Sequence, residues 1–145
     1  MKKTIITIFA VMLLLGAGRA CPETRKADLL VEIRNVPSTK GNISIALSSD
    51  EDQYNTDEDI YRAVRVDSER PRTVYVFEDI PYGRYALKLY HDKNGDHQLN
   101  KGFFGMPKER YGFSNNPKVK MSMPSYEECA FDVDSGNEKQ IIEMR

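Results

Sequence analysis

Apolar and polar residues alternate along much of the chain after residue 28, and alternation with a period of two is the signature of strands with one buried face. Leu29, Val31 and Ile33 form one such set and Ile43, Ile45 and Leu47 a second, with the turn-forming stretch from Pro37 to Gly41 between them. This spacing predicts a β-hairpin. Further strands are predicted from Tyr61 to Val66, Arg72 to Phe77, Arg84 to His91, and around Phe131 and Ile141. No long helical periodicity is present. The pattern therefore predicts an all-β domain, an antiparallel Greek-key β-sandwich of about seven strands, transthyretin-like or immunoglobulin-like in kind, with one long ordered loop.

Two segments break the alternation. From Ser48 to Asp59 the chain carries Asp50, Glu51, Asp52, Asp57, Glu58 and Asp59, too many charges to bury without partners, so this stretch reads as a solvated loop or a second cation site. Between Phe77 and Tyr85 stands Pro81-Tyr82-Gly83, which sets a tight turn joining two strands, with Phe77, Ile80 and Tyr85 directed to the core.

The first twenty residues follow a different logic. Lys2 and Lys3 precede an apolar run from Ile5 to Leu15, and the stretch from Gly16 to Ala20 is rich in small residues, the layout of a secretory signal peptide. The run is too short to span a bilayer before Gly16, Gly18 and Arg19 interrupt it. Residues 1–20 are thus expected to be a signal peptide and residues 21–145 a single domain, periplasmic or extracellular. Loss of Lys2, Lys3 and Arg19 leaves 18 basic against 22 acidic residues, a balance that speaks against nucleic acid as a partner.

The chain has two cysteines, Cys21 and Cys129. Cys21 directly follows the signal and has two readings. Either it is the lipidated residue of a lipoprotein, which would tether the domain to a membrane, or it is the first residue of a released protein and pairs with Cys129. A disulfide closing so long a loop would stabilise the fold by about 4 to 5 kcal/mol on the chain-entropy model.

The segment with the best claim to chemistry is His91-Asp92-Lys93-Asn94-Gly95-Asp96-His97-Gln98-Leu99-Asn100. Asp92, Asn94 and Asp96 offer oxygen at every second position, and the Gln98 carbonyl and Asn100 can complete a shell of the hard ligands that calcium takes. Phe103 stands where an EF-hand would carry its bidentate Glu. With two formal charges, affinity falls at the weak end, about 0.1 to 1 mM. The alternative is a plain Asn94-Gly95 turn whose Asp side chains bond to nearby amides. His91 and His97 have no partners at zinc spacing. A Ser114, His91 and Asp92 triad can be drawn, but no nucleophile elbow accompanies it.

The strings His91 to Asp96, Gly105-Met106-Pro107-Lys108-Glu109, Tyr111-Gly112-Phe113-Ser114-Asn115-Asn116 and Pro124-Ser125-Tyr126-Glu127 together resemble the bacterial family known as domain of unknown function 2141. The resemblance implies small exported proteins on a β-sandwich and brings no activity with it. The Pro-x-Gly-x-Tyr turn in its strand setting is similar to transthyretin-like and carboxypeptidase-regulatory-like sandwiches. Such a fold also serves hydroxyisourate hydrolases, whose active site uses a C-terminal Tyr-Arg-Gly-Ser tail. The chain here closes Ile141-Ile142-Glu143-Met144-Arg145.

Between residues 91 and 126, aromatic side chains such as Phe103, Phe104, Tyr111 and Phe113 are expected to anchor a compact loop over the sheet end beside the Asp92 loop, with Asn115 and Asn116 donating oxygen ligands or bonding to backbone. A non-catalytic envelope module that binds a protein, glycan or small ligand there is the leading expectation. A hydrolase is the alternative.

Overall fold

In the computed structural model, residues 24–102, 107–120 and 122–145 are described. The elements in chain order are β1 (Lys26–Arg34), β2 (Asn42–Ser48), α1 (Glu51–Thr56), β3 (Arg62–Asp67), β4 (Arg72–Pro81), β5 (Gly83–Asp92), β6 (Tyr111–Phe113), α2 (Tyr126–Cys129), β7 (Phe131–Val133) and β8 (Asn137–Glu143). They form two sheets, a three-stranded one ordered β4-β1-β8 and a five-stranded one ordered β3-β2-β5-β6 with β7 also paired to β5. Among the described residues no helix is long and apolar enough to cross a membrane.

The core lies between the sheets. Ala27, Leu29, Val31 and Ile33 of β1 face Ile43, Ile45 and Leu47 of β2 and Tyr85, Leu87 and Leu89 of β5, with Phe77, Ile80 and Ile142 from the flanking strands. Each fully buried Leu or Ile contributes roughly 1.5–3 kcal/mol of transfer free energy. The alternation thus identified the buried faces of β1, β2 and β5, and Phe77, Ile80 and Tyr85 lie in the core as expected.

Neighbour relations differ from the expectation. β1 and β2 are not a hairpin: β1 pairs with β4 and β8, while β2 pairs with β3 and β5. Residues 37–41 cross from one sheet to the other, which a short connection can do because stacked sheets lie only about 10 Å apart. Alternation specifies which face of a strand is buried, and two strands meeting across the core satisfy it as well as two side by side.

The Pro81-Tyr82-Gly83 turn is likewise a corner between sheets, since β4 and β5 belong to different ones. Tyr85 Oη donates to the Pro81 carbonyl at 2.9 Å and closes the corner. The sandwich is also not wholly antiparallel. β8 returns beside β1 in the same direction, with Leu30 opposite Lys139 and Ile33 opposite Ile142.

The acidic stretch holds a short helix rather than a plain loop. Asp50 Oδ1 accepts from the Gln53 amide at 2.9 Å and caps α1, and Tyr54 on that helix is fully buried. With Ala86, Phe113, Tyr126 and Cys129 it builds a second apolar cluster, into which α1 and α2 both contribute. Ser125 and Glu128 form a reciprocal capping box at the start of α2.

Candidate functional site

β5 delivers the chain to the loop at 92–100, and three anchors hold that loop in place. The first is Asp92, the last residue of β5, which is fully buried. Its Oδ1 accepts from the Gly95 amide at 2.7 Å and its Oδ2 from the His97 amide at 2.9 Å. The His97 ring stands 3.4 Å from the same Oδ2.

The second anchor is the crossover at 37–41, packed against the base of the loop. Gly41 has φ +83°, and a Cβ there would lie 2.2 Å from the Asp92 carbonyl oxygen, so only glycine fits. His91 Nε2 lies 2.8 Å from the Lys40 carbonyl and 3.1 Å from Ser68 Oγ, and Ser68 Oγ in turn donates to the Ser38 carbonyl at 3.0 Å. His91 is therefore a buried tie between β5 and the crossover. His97 is the exposed histidine of the pair.

Glu109 is the third anchor, and the pattern of the loop itself gave no sign of it. Its Oε1 accepts from the Lys93 amide at 3.1 Å and its Oε2 from the Asn100 amide at 3.0 Å, so a single carboxylate clamps both ends of the loop. The returning chain is aligned for this by a bridge between Lys101 and Pro107 and by the Lys108 amide donating to the Asn100 carbonyl at 2.7 Å. A side chain so far along the chain becomes a loop residue only through that return, and no local spacing reports it.

Within the loop the remaining expected ligands come together. Asp96 Oδ2 accepts from Asn94 Nδ2 at 2.9 Å and from Asn100 Nδ2 at 2.8 Å, its Oδ1 accepts from the Gln98 amide at 2.9 Å, and the Gln98 carbonyl accepts from Asn100 Nδ2 at 3.2 Å. These bonds, Asn100 first, hold the Asp96 carboxyl below the usual range. Asp92 is buried, with both oxygens engaged by amides, as the plain-turn reading has it.

Among the described residues no three His, Cys, Asp or Glu side chains converge as a metal cluster. Oxygen for a cation would therefore come from Asp96, the carboxamides of Asn94 and Asn100 after a half-turn that presents Oδ1, and the Gln98 carbonyl. That is a hard, weakly charged donor set of the kind calcium accepts.

The rest of the 91–126 region has other work. Phe103, Phe104 and the stretch through Met106 lie outside the described residues, as does Cys21. From Tyr111 the chain runs back along β5, with Phe113 opposite Lys88 and Tyr111 opposite Tyr90. Phe113 and Tyr126 are buried in the second cluster. Asn115 Nδ2 donates to the Ala130 carbonyl at 2.8 Å. Asn116 Nδ2 donates to the Ile141 carbonyl at 2.7 Å while its Oδ1 accepts from the Glu143 amide at 2.8 Å, so that one carboxamide occupies the edge of β8. Neither asparagine joins the Asp92 loop.

Ser114 Oγ is directed to the Cys129 carbonyl and accepts from the Leu87 amide at 2.9 Å. Ser114, His91 and Asp92 thus have separate partners and form no relay. Cys129 is fully buried with its Sγ 3.1 Å from Tyr54 Oη, and burial pushes its thiol up from the ordinary range.

With strands, corner and loop in place, the whole ordered string of motifs can be matched to a family. The model of the bacterial family described as "Uncharacterized protein conserved in bacteria (DUF2141)" matches residues 31–141. The chain belongs to this family. In the DUF2141 frame the match runs from the core strand β1 to β8 and takes in the loop, the Glu109 clamp and both helices. No curated protein and no solved structure matches.

Proposed function

We propose that the protein is an exported, non-catalytic module of the cell envelope, and that its loop at 92–100 takes a weakly held calcium ion. The observation that carries the reading is the convergence of Asn94, Asp96, the Gln98 carbonyl and Asn100 within one loop whose ends are both clamped by Glu109. A loop already fixed at both ends loses little conformational entropy on taking an ion, and the low charge of its donors suits millimolar calcium outside the cell.

The surface offered to a partner is then the sheet end formed by residues 37–41, 92–102 and 107–110. A glycan, an envelope protein or a small polar ligand fits its amide and carboxylate groups. The separate partners of Ser114, His91 and Asp92 favour binding over hydrolysis. The sandwich is of Greek-key, transthyretin-like kind in this reading. Residues 1–20 direct export, and Cys21 either begins a released chain or carries a lipid that tethers it. The burial of Cys129 against Tyr54 supports a packing role for that thiol over pairing with Cys21.

The test is a thermal melt at millimolar calcium with and without chelator. Calcium should raise the melting temperature, chelator should reverse the rise, and Asp96→Asn should remove most of it. A melt indifferent to calcium sinks the cation reading, and the intact mass of the purified protein separates a lipidated Cys21 from a free N-terminus.

A further inference from the structure

β4 ends its sheet, so one side of it is an open edge. Which backbone groups face outward follows from the hydrogen bonds of β1. The Arg34 carbonyl accepts from the Met144 amide on the β8 side, so Leu29, Val31 and Ile33 direct their amides and carbonyls toward β4, where they meet Phe77, Tyr75 and Thr73. The backbone groups of Arg72, Val74, Val76 and Glu78 therefore point away from the sheet. The Arg62 guanidinium donating to the Glu78 carbonyl at 2.7 Å agrees with this direction, and among the described residues it is the one side-chain donor on that edge.

Exposed edges are usually blunted by a charge, a proline or a bulge. Here those devices sit only at the ends, with Pro71 before the strand and a register shift at Asp79, which has φ +57°. Between them Val74 and Val76 are 46% and 39% exposed, two of the few large apolar side chains among the described residues left open to solvent. The opposite edge of the same sheet is closed by Asn116, and the edge strand of the other sheet, β3, is shorter and carries Arg62, Arg65 and Asp67.

The sequence along the open edge is complementary to itself. We propose that β4 pairs antiparallel with β4 of a second copy of this chain, with Tyr75 on the two-fold axis. In that register the outward-facing residues meet as hydrogen-bonding pairs: Val74 opposite Val76 of the second copy, and Arg72 opposite its Glu78. Arg72, Val74, Val76 and Glu78 share the outer face of the sheet, so the apolar pairs form a central stripe flanked at each end by opposite charges. Shifting the centre to Val74 or Val76 loses the Arg72–Glu78 pairing, so charge selects Tyr75 as the centre. The two three-stranded sheets become one continuous sheet of six, and the Arg62 contact at Glu78 marks where the new ladder ends.

The experiment is sedimentation equilibrium on protein purified after expression of the full chain. The wild type should sediment as a monomer–dimer equilibrium, and Val74→Lys, which sets an ammonium against Val76 at two symmetric positions, should weaken the dimer about tenfold or more. Cysteine mixing fixes the register: Val74→Cys and Val76→Cys proteins combined under oxidising conditions should give a 74–76 linked peptide by mass spectrometry. A monomer at every concentration up to the solubility limit overturns the proposal. So does a dimer unmoved by Val74→Lys, or a mixture that links without a 74–76 peptide.

Discussion

Gly41 and Gly95 form a matched pair for testing how the crossover and the candidate loop fit together. Both have left-handed backbone, φ +83° and +76°, so alanine at either incurs the conformational cost of that region, about 1–2 kcal/mol. Their surroundings differ. An added Cβ at Gly95 meets nothing within 4 Å, whereas at Gly41 it would lie 2.2 Å from the Asp92 oxygen and 2.7 Å from Lys93 Cα. Both obstacles are backbone and cannot rotate away, so relief requires the crossover to lift off the loop at an overpacking cost of about 1–3 kcal/mol. Gly41→Ala should therefore destabilise by about 2–5 kcal/mol and Gly95→Ala by about 1–2 kcal/mol. Urea unfolding followed by circular dichroism reads both, as a lower midpoint at unchanged slope. Equal losses in the two variants would refute the contact between residues 37–41 and the loop base, and with it the account of how the site is held.

Three cations, Lys139 at 2.7 Å, Arg34 at 2.8 Å and Arg72 at 3.7 Å, surround the Glu32 carboxylate on the outer face of β1. Hydrogen bonds from Lys139, foremost, and from Arg34 hold its pKa down to about 2 against an ordinary 4.5. Because the folded value is depressed, the stabilisation is fully present above pH 4.5 and is lost as pH falls toward 2, so the melting-temperature gap between wild type and Glu32→Gln should close across that window. A gap that persists at the acid end would count against the ion-pair origin. Tyr54→Phe removes the donor to the buried Pro124 carbonyl and should cost about 1–3 kcal/mol in urea unfolding, with a loss near zero showing that the bond is dispensable.

Much of the core was legible because alternation reports burial directly: every apolar residue singled out in β1, β2 and β5 lies inside. What alternation lacks is a neighbour. It could not tell a hairpin from two strands meeting across the core, nor give the direction of β8 beside β1, because both arrangements bury the same faces. β6 escaped notice because three residues are too few to alternate, and Gly112 at its centre brings no side chain. α1 was hidden by its charges, since Tyr54 is its only buried residue. In the loop, Asn94, Asp96, Gln98 and Asn100 were readable from spacing within one short segment. Glu109 was not, since its role depends on the chain returning through Lys101 and Pro107. Asn115 and Asn116 looked like ligands by type, yet backbone groups of β8 and the α2 end claim them.

The central claim, a calcium ion in the clamped loop, is tested most directly by titrating calcium into the chelator-stripped protein in a calorimeter, beside Glu109→Gln and Asp96→Asn. With Asp96 as the one charged donor, the account predicts one site with a dissociation constant of about 1 mM, weakened when the Glu109 clamp loosens and lost when Asp96 is neutralised. Absence of binding heat in the wild type, or equal binding in all three proteins, would contradict it.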